Sequence, residues 1–273
     1  MLLDCKSLAK AIKTDISNEV LHLNIKPKLA IIHVGSDNAS EVYVRGKVRD
    51  CEECGIEVQV YRYSSEISEN ELISNVMKLN YDDSTTGILV QLPLPNHIRE
   101  SEVMESISPY KDVDGFNPIN IGSVITNGIG FEPCTPLGII KLLEYYHIPI
   151  EGKTCVVIGR SNIVGKPIAR MLLDRNGTVI QCHSKTTNLK EMTLQADILI
   201  SAVGKPNFIT KDMVKKGAVV IDVGINRNQD NKLCGDVDFN EVSEIAEYIT
   251  PVPGGVGLLT RACLMFNVLK ACK

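Results

Sequence analysis

The 273-residue chain has no run of like charge, no apolar stretch of membrane-spanning length, no internal repeat and no low-complexity segment. Each absence excludes something. A net charge of −4, from 29 basic and 33 acidic residues with neither sign clustered, leaves no electrostatic footprint for nucleic acid or for an anionic membrane surface. A bilayer span needs about 20 consecutive apolar residues. The first residues, Met1-Leu2-Leu3-Asp4-Cys5-Lys6, run into a polar helix pattern, so neither a secretory signal nor a transmembrane segment is expected. Without repeats, solenoid and propeller architectures fall away.

The nine cysteines are an odd number, scattered through apolar stretches such as Thr154-Cys155-Val156-Val157-Ile158. That distribution suits reduced, buried thiols and a cytoplasmic location rather than a disulfide framework. Cys51-Glu52-Glu53-Cys54 has the spacing of a metal or redox pair, but it lies inside a predicted helix and no second Cys/His pair sits at zinc spacing. No metal site is expected.

What the chain does contain is an alternation. Short runs rich in Ile and Val are separated by longer segments of helical period, which is the pattern of βα units and a mostly parallel sheet. A helix carrying Leu8, Ile12, Ile16 and Val20 precedes a strand at 29–34, a helix at 40–54, a strand at 56–61, a helix at 69–79 and a strand at 87–92. A Gly-, Pro- and Asn-rich loop then runs from Pro93 to Pro136, longer than a connection requires, and loops of that length usually carry function. After a helix with Ile139, Leu142 and Leu143, strands follow near 154–158, 178–182, 197–202 and 218–223. The expected fold is α/β in two domains. Residues 1–139 make the first, to which a last helix at 258–269, within a returning segment 252–273, is added; residues 140–251 make a second, Rossmann-like domain.

The strand at 154–158 runs straight into Gly159-Arg160-Ser161-Asn162-Ile163-Val164-Gly165-Lys166-Pro167, and helical period resumes through Leu172. A glycine turn between strand and helix lets the backbone approach a pyrophosphate, and Pro167 fits the first helical turn, whose free N–H groups attract anions. The spacing differs from GxGxxG, so by itself it also fits a plain connecting turn. The next strand ends in Gln181-Cys182-His183-Ser184-Lys185, where an NAD enzyme would place an acid for the ribose hydroxyl, and no acid is there. Hydroxyl and basic groups, with Arg160 in the turn, suit a 2′-phosphate, so NADP is preferred over NAD. His183 reads as a polar residue at a strand terminus.

In the first half, Tyr43 and Lys47 stand four apart on one helix face and can act on one ligand, although a lone Lys is ordinarily a solvated cation. Gln91 is the one polar side chain in Leu89-Val90-Gln91-Leu92, at the strand end where open α/β sheets bind ligands. Asp112 and Asp114 flank Val113 in the long loop, where a buried carboxylate is suited to an amino-pyrimidine ring and an exposed one to turn chemistry.

In this order these segments resemble the methylenetetrahydrofolate dehydrogenase/cyclohydrolase family over nearly the whole chain. The resemblance is carried by Tyr43-Val44 with Lys47, Cys51 to Ile56, Val90 to Pro95, Lys111 to Phe116, Pro133 to Pro136, Gly159 to Pro167, Asp222 to Asn226, Gly235-Asp236-Val237 and Thr250 to Gly257. It implies Lys47 as catalytic lysine, Gln91 as its partner, Tyr43 packed on the aminobenzoate of folate and Asp114 holding the pterin. Val90 and Leu92 are placed beside Gln91 in the substrate site, Pro253, Gly254 and Gly255 along the folate cleft, and Gly159, Arg160, Ser161, Ser184 and Ile225 against NADP.

The implied reactions are hydride transfer from 5,10-methylenetetrahydrofolate to NADP⁺ and hydrolysis of the resulting methenyl cation to 10-formyltetrahydrofolate, in a homodimer. Where the family commonly continues Pro-Met-Thr, this chain has Leu258-Leu259-Thr260. The alternatives are a monofunctional cyclohydrolase, an NAD-using dehydrogenase, or a non-catalytic folate or nucleotide sensor. A sensor typically loses the working lysine, and this chain keeps it.

Overall fold

The computed structural model describes residues 1–273 apart from the side chains of Asn38 and Ala39. In chain order the elements are α1 (Cys5–Val20), β1 (Lys28–Val34), α2 (Asn38–Cys54), β2 (Glu57–Tyr63), α3 (Glu69–Asn80), β3 (Gly87–Val90), α4 (Glu100–Ser106), α5 (Pro118–Thr126), α6 (Cys134–Tyr145), β4 (Thr154–Ile158), α7 (Gly165–Leu173), β5 (Thr178–Cys182), α8 (Leu189–Thr193), β6 (Ile198–Ser201), β7 (Val219–Asp222), β8 (Asn226–Arg227), β9 (Leu233–Cys234), α9 (Phe239–Ser243), β10 (Tyr248–Ile249) and α10 (Val256–Lys270). The expected 93–136 loop is a correction: it holds α4 and α5. Asn117 accepts from the Ile119 N–H and Pro118 opens the first turn of α5, which is a helix start by both cap and proline.

The chain divides into two compact units, Lys10–Cys134 with Arg261–Lys273, and Met1–Ala9 with Thr135–Thr260. The cuts therefore fall at 134 and 260, and the first nine residues join the second unit.

The first unit is built on a parallel sheet of order β2-β1-β3. The central strand is apolar at almost every position because both its faces are covered. Ala30, Ile32 and Val34 pack with Leu72 and Val76 of α3 and Val103 of α4. Side chains like these contribute about 1.5–3 kcal/mol each on burial. α2 starts on Asp37, whose carboxylate accepts from the Ser40 N–H, and so carries Tyr43 and Lys47 in its ordered middle. The returning C-terminal segment is tied in by Asn267, whose amide nitrogen donates to the carbonyls of Val113 (2.9 Å) and Glu132 (3.0 Å).

The second unit is a parallel sheet of order β10-β7-β6-β4-β5. Its strands β4, β6 and β7, buried at every position but Thr154, pack on Ile209, Val214, Val237 and Val242, and α7 buries Ile168, Met171 and Leu172. The edge strand β10 and the β8–β9 hairpin had no counterpart in the sequence pattern, being only two residues each. Among the described residues no helix is long and apolar enough to cross a membrane.

Candidate active site and nucleotide pocket

β3 ends at Val90, and the Gln91 N–H still reaches the Ile32 carbonyl at 2.9 Å, so the Gln91 side chain leaves the sheet at its carboxyl end. Its Oε1 accepts a hydrogen bond from Lys47 Nζ at 2.9 Å, while its own amide nitrogen donates to the Leu92 carbonyl at 2.6 Å. The two residues, 44 positions apart, are thus brought together. Val90 is buried and Leu92 and Tyr43 are half-buried beside this point in the chain.

Burial holds the Lys47 ammonium below the usual lysine range; Asp114 opposes that shift, as do Cys134 and Cys51 more weakly, while Arg261 adds to it. Burial in turn pushes Asp114 up, with Lys47 and, more weakly, the Cys134 side chain pulling it back. An amine and a carboxylate that each titrate closer to neutrality than they would in water are suited to exchanging protons.

Asp112 and Asp114 turn out to do different things. Asp112 is fully buried and its Oδ2 accepts from the Asn117 N–H (2.7 Å) and the Asn120 amide (2.8 Å), so it is a brace for the loop into α5, and desolvation raises it to about 6. Gly115 then turns with φ +76°, and a Cβ there would lie 2.8 Å from the Pro133 nitrogen. This crossing lets Cys134 N–H reach the Asp114 carbonyl (3.4 Å) and Cys134 Sγ the Val113 carbonyl (3.3 Å). Cys134 and Arg261 are members of the Lys47 environment to which sequence reasoning gave no role.

In the second unit, β4 ends on Gly159, whose φ is +128° and whose Cβ would fall 2.5 Å from the Ala202 carbonyl oxygen, so only glycine closes this turn. Ser161 Oγ accepts from the N–H groups of Val164 (3.2 Å) and Gly165 (3.3 Å), capping α7. Beside the turn lies a cavity of about 470 Å³ lined by Gly159, Arg160, His183, Ser184, Val203 and Lys205 among others. It contains three basic or imidazole side chains and no acid, which fits a phosphorylated ribose better than a bare one. The structure thus joins Gly159, Arg160 and Ser184 in one cavity.

Ile225 is not in that lining; it is 47% exposed, near Gly257. Pro253, Gly254 and Gly255 form the bend before α10, in this same unit, and Pro253 and Gly254 are exposed. The floor behind the cavity is held by Asp236, fully buried, whose carboxylate accepts from the N–H groups of Val203 (2.7 Å), Gly204 (3.3 Å) and Lys205 (3.0 Å) and from the Asn226 amide (2.8 Å). The sequence motif containing Asp236 gave no hint of that task. Among the described residues no cluster of His, Cys, Asp or Glu could hold a metal ion, and Cys51 and Cys54 are buried free thiols.

Two parallel α/β units, one with a glycine turn opening on a basic cavity and the other with a half-buried lysine held by an amide, define a nucleotide-binding enzyme class. Comparison with known proteins narrows it. Residues 3–114 match the model of the tetrahydrofolate dehydrogenase/cyclohydrolase catalytic domain, and 133–273 that of the NAD(P)-binding domain of the same family. The chain is 52% identical to the bifunctional protein FolD of Lachnoclostridium phytofermentans, with 100% of this chain and 98% of the relative covered. To that of Agathobacter rectalis it is 53% identical, with 100% and 99% covered.

Among solved structures it matches the bifunctional methylenetetrahydrofolate dehydrogenase/cyclohydrolase of Campylobacter jejuni with a TM-score of 0.98, at 51% identity over 100% and 98% of the chains. It matches the Trypanosoma brucei enzyme, solved with NADP and an inhibitor, with a TM-score of 0.95, at 33% identity over 100% and 97%. The chain belongs to the tetrahydrofolate dehydrogenase/cyclohydrolase family.

Proposed function

We propose that this protein oxidises 5,10-methylenetetrahydrofolate to the 5,10-methenyl cation with NADP⁺ and hydrolyses that cation to 10-formyltetrahydrofolate. The carrying observation is the half-buried Lys47, whose amine is hydrogen-bonded to Gln91 at 2.9 Å, in a chain that aligns with bifunctional relatives over its whole length. NADP⁺, when bound, supplies the hydride acceptor. Gly159 allows close approach of the pyrophosphate, Arg160 and Ser184 receive the 2′-phosphate, and Ser161 and Ile225 flank the cofactor. The redox step needs positioning more than acid–base chemistry.

Hydrolysis adds water to the cationic carbon and must lose a proton. Lys47, whose ammonium is held below the usual lysine range by desolvation, takes that proton, and Gln91 fixes the amine so that its free electron pair is available. Tyr43 packs on the aminobenzoate, Val90 and Leu92 shape the site, Asp114 binds the amino-pyrimidine of the pterin, and Pro253, Gly254 and Gly255 contact folate. The reading assigns the catalytic role to residues 1–139 with 252–273 and cofactor binding to 140–251. It includes a cytoplasmic homodimer that supplies one-carbon units to purine biosynthesis; the nine free thiols support a reducing compartment.

The test follows reduced cofactor and methenyl absorbance with 5,10-methylenetetrahydrofolate and NADP⁺ or NAD⁺. Turnover with NADP⁺ and consumption of added methenyl substrate are expected. A Lys47→Gln variant should retain the fold and lose hydrolysis; undiminished hydrolysis would refute the role of Lys47.

A further inference from the structure

Among the charged groups around Lys47, Arg261 of α10 stands apart because it is a permanent cation placed against an amine. Gly46, the residue before Lys47 on α2, leaves its backbone bare, and a Cβ at that position would lie 2.0 Å from Nη1 and 3.2 Å from Cζ of Arg261. The guanidinium therefore occupies the space that any other residue at 46 would fill. One turn further along α2, Asp50 anchors it, with Oδ2 3.2 Å from Arg261 Nε. The Asp50 side chain is only 4% exposed and also pairs with Lys13 through Oδ1 at 2.8 Å, so one buried carboxylate serves two cations. Its contact with Arg261 runs through Nε, and Nη1, over Gly46, is left nearest the residue that precedes Lys47.

We propose that Arg261 is a positioning residue for Lys47: seated over Gly46 and anchored by Asp50, its guanidinium sets a fixed positive charge beside the amine used in hydrolysis. The inference rests on the role given to Lys47 above. The groups facing that amine are Asp114 from the loop before α5, Cys134 at the start of α6, Cys51 on its own helix, neutral Gln91 after β3, and Arg261 from α10. Of these, Asp114 favours the ammonium form and Arg261 disfavours it. An arginine keeps its charge at every working pH, so this bias does not itself titrate.

The experiment follows the Lys47 side chain by ¹⁵N/¹³C NMR against pH in the full, substrate-free chain, assigned with Lys47→Gln, alongside the pH profile of methenyl hydrolysis. Arg261→Met, which keeps the stem and removes the charge, should raise the Lys47 midpoint. Hydrolysis at neutral pH should then fall about three- to tenfold, with the profile displaced to higher pH. Arg261→Lys should restore most of both. Arg261→Gln, which keeps a donor toward Asp50, gives the same neutral-charge test should the Met variant lose its fold. An unchanged Lys47 midpoint in a folded neutral variant overturns the proposal. A raised midpoint with an unmoved hydrolysis profile upholds the charge coupling and overturns instead the assignment of Lys47 to hydrolysis.

Discussion

Gln91 meets Lys47 with its carbonyl oxygen and not its nitrogen, because the nitrogen is committed to the Leu92 carbonyl at 2.6 Å. The amine is thus always the donor in this pair. Replacing Gln91 by Glu keeps the shape but sets an anion against the amine, which holds the proton more tightly. The Gln91→Glu variant is expected to fold normally and to lose at least about tenfold in hydrolysis at neutral pH, with less effect on hydride transfer. Steady-state assays of the two half-reactions check this, and an equal loss in both would mean that Gln91 serves substrate binding alone.

Arg160 and Ser184 line the basic cavity, and Arg160 is exposed to solvent. Arg160→Ala should raise KM for NADP⁺ about tenfold, the scale of a charge-assisted contact partly screened by water, while leaving KM for NAD⁺ nearly unchanged. Parallel loss of both cofactors would place Arg160 on the pyrophosphate instead.

Asp112 carries a pH dependence of stability. Desolvation raises it to about 6, so the folded state holds its proton more tightly than the unfolded chain does. Its favourable contribution is complete below the unfolded value near 4 and is lost as pH rises through about 6. Both hydrogen bonds it accepts go to Oδ2, and an amide oxygen can take them over. Thermal melts should therefore show Asp112→Asn gaining on the natural chain as pH rises from about 4 to about 7. A pH-independent difference would show that the group does not titrate in that window.

Asp236 is expected to matter to both stability and cofactor. Asp236→Ala strands the N–H groups of Val203, Gly204 and Lys205, at a cost of about 3 kcal/mol or more, visible as a fall in Tm. Because Val203 and Lys205 line the cavity, KM for NADP⁺ should rise more than KM for folate.

The parts of the fold that were legible in sequence are those where a single physical signal decides. β4 at Thr154–Ile158 is a largely buried apolar run, and β5 at Thr178–Cys182 carries Val179, Ile180 and Cys182 between exposed Thr178 and Gln181; both lie where the sequence pattern puts them. β3 stops at Val90, short of the expected Leu92, since Pro93 has no N–H with which to continue a ladder. α4 and α5 were hidden because seven to nine residues give too few turns for a period to show.

In the site, Gln91 stood out as the one polar side chain of an apolar run, whereas Lys47, on a helix rich in charged residues, was singled out by the family resemblance. Arg261 was not, since its meaning depends on Gly46, a residue far away in sequence whose importance is that it occupies no space. Asp112 and Asp114 looked alike by spacing, and their partners in the fold separate the brace, Asp112, from the neighbour of Lys47, Asp114.

The unit that holds Lys47 is made from Lys10–Cys134 and Arg261–Lys273, with the whole of Thr135–Thr260 in between. On a ribosome, the strands, the lysine and its amide partner emerge early. Arg261 and Asn267, which give the amine its cationic neighbour and the Val113 carbonyl its donor, emerge last. A nascent chain therefore carries Lys47 long before that lysine has its finished electrostatic surroundings.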